Sequence, residues 1–585
     1  MKLLQCGIWM IGLAIFSTNV TGQSVESMYL GNQTATYEET IAFYKTMAEN
    51  HSEATLLSFG KTDVGKPLSL FVISADGDFN PVSLRSKNKR VLFINNAIHP
   101  GEPCGVDACI KLTKQLLDGE NLSTKLGNVV VCIVPMYNIG GALNRGCCSR
   151  ANQNGPEAYG FRGNAKNLDL NRDFIKADSR NARGFAMMFT QWDPDVFIDT
   201  HTSNGADYQY VMTLITTQLD KLHPSLSTYV KEKMNPVLYE AMEKNKYEMI
   251  PYVNSFGKTP ESGIIDFLET PRYSTGYAAL FNTIGFTTES HMFKPFKDRV
   301  LGTWHFINSV IDFVQKNHKE IGEVRAEAKS LTSAQISFDI AWAPDTTKYD
   351  IIPFKGFESG VKTSKISGTE RSFYDREKPY TKDIKYYNRY KASVTVNKPS
   401  MYIIPQGWER VIQRLRINGI GMRRLLKDTL LAVEIYYIDD YSSTKRPYEG
   451  HYLHKNVKVS AQRQTLQFYQ GDFVIETNQD RNRFIVETLE PQGVDSYFAW
   501  NFFDPILQQK EWFSSYVFEE RAETLLKENP DIKRALDEKV GSDTAFAASG
   551  RAQLRFIYER SPYFEKSRNR YPVARVMESI SLPLR

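Results

Sequence analysis

Cysteine and histidine are scarce in this 585-residue chain, with six of the first and nine of the second. Cys104, Cys109, Cys132, Cys147 and Cys148 lie within 45 residues of one another, and none stands in a C-x2-C pair. That spacing does not make a zinc ribbon. An odd set cannot pair fully within the chain, so buried thiols with at most one bridge are expected. Charge of one sign is also lacking: 72 Lys and Arg against 67 Asp and Glu leave a net +5. With no basic stripe and no nucleic-acid motif, nucleic acid is not expected as a partner. Beyond the amino terminus there is no run of about 18 apolar residues, so no transmembrane segment is expected in the mature chain. Internal repeats and low-complexity tracts are absent too, which excludes a solenoid.

The amino terminus has its own logic. "MK" precedes the short apolar run "LLQCGIWMIGLAIFS" and then "TNVTGQS". This is the charged, apolar and small-residue layout of a secretory signal over residues 1–22, cleaved before Gln23. The expectation is an exported protein, periplasmic or extracellular, in which disulfides are permitted. Three Asn-x-Ser/Thr sites, at Asn19, Asn32 and Asn121, do not decide the compartment.

The length allows two to four domains at about 150 residues each. "RVLFINNAI" and "NVVVCIVPMYN" are continuous apolar runs of the kind found in strands buried on both faces. "DVFIDTHTSNG" and "GFTTESHMF" read as further strands, while "TYEETIAFYKTMAEN", "VDACIKLTKQLL" and "RVLGTWHFINSVIDFVQKN" have helical spacing. The alternation predicts an α/β domain over 23–325, a mixed and largely parallel sheet flanked by helices. The pattern weakens into a polar connection at 320–335. Residues 336–585 then turn to short alternating runs such as "KASVTVN" and "AVEIYYIDDY", predicting a β-rich accessory domain that ends in helices.

Within the first domain, "NNAIHPGEPCG" stops a buried strand at His99 and places Glu102 three residues on, across a Pro-Gly turn. No other histidine has an acid at that spacing. Two ligand types brought to one side of a turn can serve a metal that keeps an open position for water. One such pair also arises by chance at this composition, and Glu102 alone could be a helix-start acid favoured by the dipole. "NAKNLDLNRDF" then holds Asn171-Arg172, "FIDTHTSNG" ends a strand at His201, and "GFTTESHMF" carries Glu289. In parallel sheets, ligands sit outside the carboxyl ends of strands, which is where His99, His201 and Glu289 fall.

These motifs, in this order, resemble the zinc metallocarboxypeptidase family, whose members include carboxypeptidases A, B and D. The resemblance spans about residues 36 to 320. It implies one Zn2+ per chain held by His99, Glu102 and His201, with Glu289 as the proton-transferring carboxylate that assists attack by zinc-activated water. It further implies that Arg162 polarises the scissile carbonyl, with Arg145 and Arg150 as competitors, and that Asn171 and Arg172 hold the free C-terminal carboxylate of a peptide. Asp169 would orient His99, and Tyr277, in preference to Tyr273, would cap the substrate. His291, two residues past Glu289, is read as packing.

In family members that prefer Lys or Arg, an acid often stands fifteen residues before the catalytic Glu. Here that place holds Ser274, with Arg272 nearby, which weighs against a basic preference. The expected function is therefore an exported zinc metallocarboxypeptidase. Two rivals are the same chemistry on cell-wall peptides or acylated amino acids, and a non-catalytic binding protein on this fold. The second rival would be expected to have lost Glu289 or a ligand, and none is lost.

Overall fold

The structure is a computed structural model that describes residues 24–119 and 121–585. The secretory-signal reading of residues 1–22 lies outside the described residues.

Among the described residues, nine strands occupy the first half of the chain: β1 (Ala54–Lys61), β2 (Pro67–Ser74), β3 (Arg90–Asn95), β4 (Val129–Val134), β5 (Val196–Ser203), β6 (Met212–Thr216), β7 (Met249–Pro251), β8 (Ile264–Ile265) and β9 (Ile284–His291). All but β8 form one eight-stranded sheet in the order β1-β2-β4-β3-β5-β9-β6-β7. Its centre, β4-β3-β5-β9, is parallel; β1-β2, β2-β4 and β9-β6 are antiparallel, and β6-β7 at the edge is parallel again. Every residue of β3, β4 and β5 is buried. Helices cover both faces of the sheet, which is why these strands read as near-continuous apolar runs. The helix Tyr37–Asn50 begins with a capping box, Thr36 and Glu39 each bonding the other's backbone N–H.

The sheet topology brings the chemistry together. In the parallel register Asn95 sits beside Asp199, and His201 beside Glu289. Leaving β3, the chain passes His99 and Glu102 and enters the helix Cys104–Leu117, which packs back on the sheet. That helix approaches β5 closely because position 105 is glycine. A Cβ there would collide with the Thr200 hydroxyl and the Asn96 amide.

One expectation is corrected. The polar stretch 320–335 is not a connection: the helix Phe296–Ala334 runs through it, bending at Asn317. Ile321, Arg325, Ala328 and Thr332 are its buried residues beyond the bend. They are spaced four, three and four apart, a single narrow stripe whose remaining faces are solvated. A composition reading sees mostly the solvated faces.

Beyond the helix the chain is mainly antiparallel. β10 (Ser337–Pro344) pairs with β13 (Tyr390–Asn397), and between them β11 (Asp350–Thr363) and β12 (Glu370–Tyr387) form a long hairpin joined edge-on to β8. β14 (Met401–Ile404), β15 (Arg423–Arg424), β16 (Thr429–Ser443), β17 (His454–Phe468), β18 (Phe473–Glu476) and β19 (Ala574–Val576) make a six-stranded sheet. The helices Ser515–Glu528, Pro530–Ser542 and Gly550–Tyr558 share a small core around Phe518, Leu525, Leu536 and Leu554.

The two halves share apolar packing. One buried cluster includes Phe93, Phe189, Tyr277 and Phe281 from the first half with Phe484, Tyr497 and Trp500 from the second. Phe281 and Phe484 stand 5.4 Å apart, ring to ring. Among the described residues no helix is long and apolar enough to cross a membrane.

Gly105→Ala is expected to destabilise the protein by about 1–3 kcal/mol, because overpacking here displaces β5 at its functional end. Urea denaturation with an unchanged m-value measures it.

Candidate active site

A cavity of about 500 Å³ opens at the carboxyl ends of the parallel strands, and His99, Glu102, His201 and Glu289 all line it. Donor atoms of His99, Glu102 and His201 lie within 4.8 Å of one another, all three side chains being buried. His99 Nδ1 stands 3.2 Å from Glu102 Oε1, and His201 Nδ1 the same distance from Glu102 Oε2.

The far side of each imidazole is tied to a carboxylate. His99 Nε2 pairs with Asp169 Oδ1 at 2.9 Å, and His201 Nε2 with Asp199 Oδ2 at 3.0 Å. Asp199 is itself buried and accepts a bond from the Asn95 amide at 3.0 Å. Such partners fix the tautomer and leave the other ring nitrogen as a lone-pair donor. Both Nδ1 atoms therefore face the shared point, and His99 Nδ1 is buried without a hydrogen-bond partner. A two-nitrogen, one-carboxylate set with an orphaned buried donor fits a zinc ion with an open position.

The electrostatics favour a cation at that point. Burial works against charge on His201, yet Asp199 and Glu102 outweigh it and hold the imidazole well above its ordinary pKa. Burial likewise opposes ionisation of Glu102 and Asp169. Arg150 and His99 overcome it for Glu102, and His99 and Arg162 for Asp169, so both carboxyls stay far below the usual range.

Glu289 has a different environment. Burial pushes its carboxyl up to about 8; His201 and Arg162 pull it down, while Glu102 and Glu269 push it further up. A cation at the donor set adds to the downward pull. Among the described residues its carboxylate takes part in no hydrogen bond, so it is free to carry a proton.

Of the arginines weighed for the carbonyl, Arg145 bonds the backbone of Thr34 and Ala35, outside the cavity lining. Arg162 and Arg150 both reach Glu102 Oε1, at 3.2 and 2.8 Å. Arg162 also bonds Asp169 and remains 45% exposed, at the cavity mouth. Asn171 and Arg172 line the cavity too. The Asn171 amide oxygen accepts from the Ser274 N–H, and the Arg172 guanidinium lies 4.4 Å over the Tyr273 ring.

Tyr277 is a correction. It is completely buried in the aromatic cluster with Phe174, Phe189 and Phe281, and its hydroxyl donates to Asn418 Oδ1 at 2.5 Å, so it cannot cap a substrate. The tyrosines that do line the cavity are Tyr252 and Tyr273. Tyr252 follows β7, and burial and the charge of Glu289 both raise its phenol. His291 packs away from the cavity, its ring tilted against Tyr208 at 4.2 Å and bonded to the Ala206 carbonyl.

Sequence reading missed Asp199 and Glu269. Asp199 is two residues before His201 on one strand and so shares its face, a signal that strand periodicity contains. Glu269 lines the cavity while its Oε2 accepts from the Thr275 N–H at 2.9 Å. It lies in an irregular loop where spacing carries no information. Among the described residues the cysteines divide into three buried thiols, Cys104, Cys109 and Cys132, and a disulfide between the neighbours Cys147 and Cys148, just before the cavity residues Ser149 and Arg150.

Comparison with known proteins adds the following. The zinc carboxypeptidase family pattern matches residues 40–231, which include His99, Glu102, Asn171, Arg172 and His201; Glu289 lies beyond the matched span. Carboxypeptidase 2 of Trichophyton equinum is 20% identical over 488 residues, covering 80% of this chain and 84% of that protein. Carboxypeptidase 2 of Trichophyton rubrum has the same identity and coverage. A metallo-carboxypeptidase structure from Burkholderia cenocepacia is 17% identical with a TM-score of 0.37, covering 48% of this chain and 70% of that one.

Metal-stripped protein is expected to take up one zinc per chain. Asp199→Asn should weaken that binding about 10- to 100-fold, read by chelator competition.

Proposed function

We propose that this chain, whose residues 40–231 match the zinc carboxypeptidase family pattern, removes single residues from the C-terminal ends of peptides. The observation that carries the reading is one cavity holding both the His99–Glu102–His201 donor set and a guanidinium, Arg172, suited to a free carboxylate. His99, Glu102 and His201 would hold the zinc. When bound, zinc supplies Lewis acidity that polarises a carbonyl and makes a water easier to deprotonate.

The remaining work falls to the chain. A planar guanidinium can take a carboxylate through two parallel hydrogen bonds, which a lysine cannot do. Arg172 is braced against Tyr273, and Asn171 beside it adds an amide. Together they would hold the terminal carboxylate and so restrict cleavage to a chain end. Glu289 would accept a proton from the attacking water and return it to the leaving nitrogen, a task that needs a carboxylate with no fixed partner. Arg162, with Arg150 beside it, would neutralise the oxyanion that develops on the carbonyl. The phenol of Tyr252 is the group we assign to the capping role, in place of Tyr277.

The cavity lining also holds Ile215, Phe267, Tyr273 and the carboxylate of Glu269, and these are the residues we assign to the pocket for the terminal side chain. Aromatic walls around a carboxylate favour a long side chain ending in positive charge. This reading reverses the weight that Ser274 gave in sequence. The amino-terminal apolar stretch supports an exported enzyme.

Glu289→Gln is expected to lower kcat by about 10²- to 10⁴-fold while zinc stoichiometry is kept, as loss of a general base does. Equal kcat in both proteins would reject the role. For Glu269→Gln, the ratio of kcat/KM for C-terminal Lys over C-terminal Leu should fall at least about 10-fold. An unchanged ratio would make Glu269 only a brace for the Thr275 turn.

A further inference from the structure

The second half of the chain reaches the metal-binding end of the cavity through Glu449. Glu449 lies in the turn between β16 and β17, and its Oε2 accepts the backbone N–H of Asp169 at 2.8 Å. Asp169 is the busiest second-layer residue of the site. Its Oδ1 pairs with His99 Nε2 at 2.9 Å and accepts the Asn171 N–H at 2.9 Å, while its Oδ2 accepts Arg162 Nε at 3.0 Å. One backbone anchor therefore bears on a metal-facing histidine, the arginine at the cavity mouth and the segment carrying Arg172.

We propose that Glu449 is a positioning residue: acting through Asp169, it sets His99, Arg162 and Arg172 in place, so that residues from the second half of the chain complete the active site. The inference rests on the metal-dependent reading above.

Three further observations support it. Glu449 has φ +52°, a left-handed conformation that glutamate seldom adopts and that asparagine or glycine would enter at less cost. A glutamate kept there points to a use for its side chain. The turn is also held rigidly. Tyr448 and His451 exchange backbone hydrogen bonds, and His451 Nε2 pairs with Asp178 Oδ2 at 2.7 Å.

A matching support reaches the neighbouring segment of the cavity lining, the one that carries Tyr273. Asp495 accepts both the backbone N–H and the Nε–H of Arg272, at 3.0 and 2.7 Å, and the Arg272 guanidinium lies 5.6 and 5.0 Å from the stacked rings of Tyr448 and Trp500. The next residue, Tyr273, is the one under Arg172. The second half thus braces both segments that present Arg172.

Full-length Glu449→Ala and Glu449→Gln test this beside the wild type, by zinc affinity from chelator competition, by kcat and KM on one peptide, and by Tm. Gln keeps an acceptor oxygen, so Glu449→Gln should stay within about threefold of the wild type. Glu449→Ala should bind zinc about tenfold more weakly and raise KM, at a Tm within a few degrees. Zinc affinity and KM unchanged in Glu449→Ala would overturn the inference, and so would a fall in Tm alone. Wild type that binds no zinc would sink the metal reading and this inference with it. Wild type that binds zinc but cleaves no peptide would sink only the exopeptidase reading.

Discussion

Everything at the active end of this protein depends on two carboxylate–imidazole pairs. Asp169 holds His99, and Asp199 holds His201, each through Nε2. Those bonds turn both Nδ1 atoms toward Glu102. An imidazole left to rotate would make either nitrogen a donor or an acceptor. Here the outer carboxylates decide, and the buried negative charge around the donors makes a cation the natural occupant. The parallel register of β5 and β9 then sets Glu289 beside His201, near the donors but not among them. One sheet geometry thereby separates a carboxylate that can bind metal from one that can move protons. Their environments differ in the same sense: Glu102 accepts the Thr202 N–H and pairs with Arg150, whereas Glu289 has no such partner.

Much of this was legible because the site is built on strand ends. His99, His201 and Glu289 each follow or close an apolar run, and such runs in parallel sheets lead to the ligand side. Asp169 could be placed from its closeness to Asn171. What failed was the loop between β7 and β9. Its residues have no periodicity, β8 inside it belongs to another sheet, and neither Tyr273 nor Tyr277 stands at the family's usual distance from Glu289, so the preference for Tyr277 has no spacing behind it. That residue sits in the helix Ser274–Ala279, facing the core rather than the cavity. Tyr252 and Glu269 could not be found by counting, because spacing predicts position only where the backbone is regular. The helix Phe296–Ala334 misled for a related reason: past its bend it buries only four residues on a narrow stripe.

The second half was the least legible part, and the structure explains why. The residues with which it supports the cavity from behind, Glu449 and Asp495, are separated from their partners Asp169 and Arg272 by 280 and 223 residues. Nothing local in the sequence marks them. They are brought close by the shared core, in which Phe484, Tyr497 and Trp500 pack with Phe189, Tyr277 and Phe281. Burying such aromatic surface is worth roughly 1.5–3 kcal/mol per large side chain, and several such side chains meet here. The apolar contact holds the halves together, and the polar contacts at its edge use that fixed geometry.

The most direct test of the account incubates zinc-loaded full-length protein with peptides ending in Lys, in matched free-acid and C-terminally amidated forms, and follows the products by mass spectrometry. The account predicts stepwise loss of single residues from the free acids and none from the amides, because Arg172 and Asn171 need a carboxylate to hold. Equal cleavage of both forms, or cleavage within the chains, would contradict it.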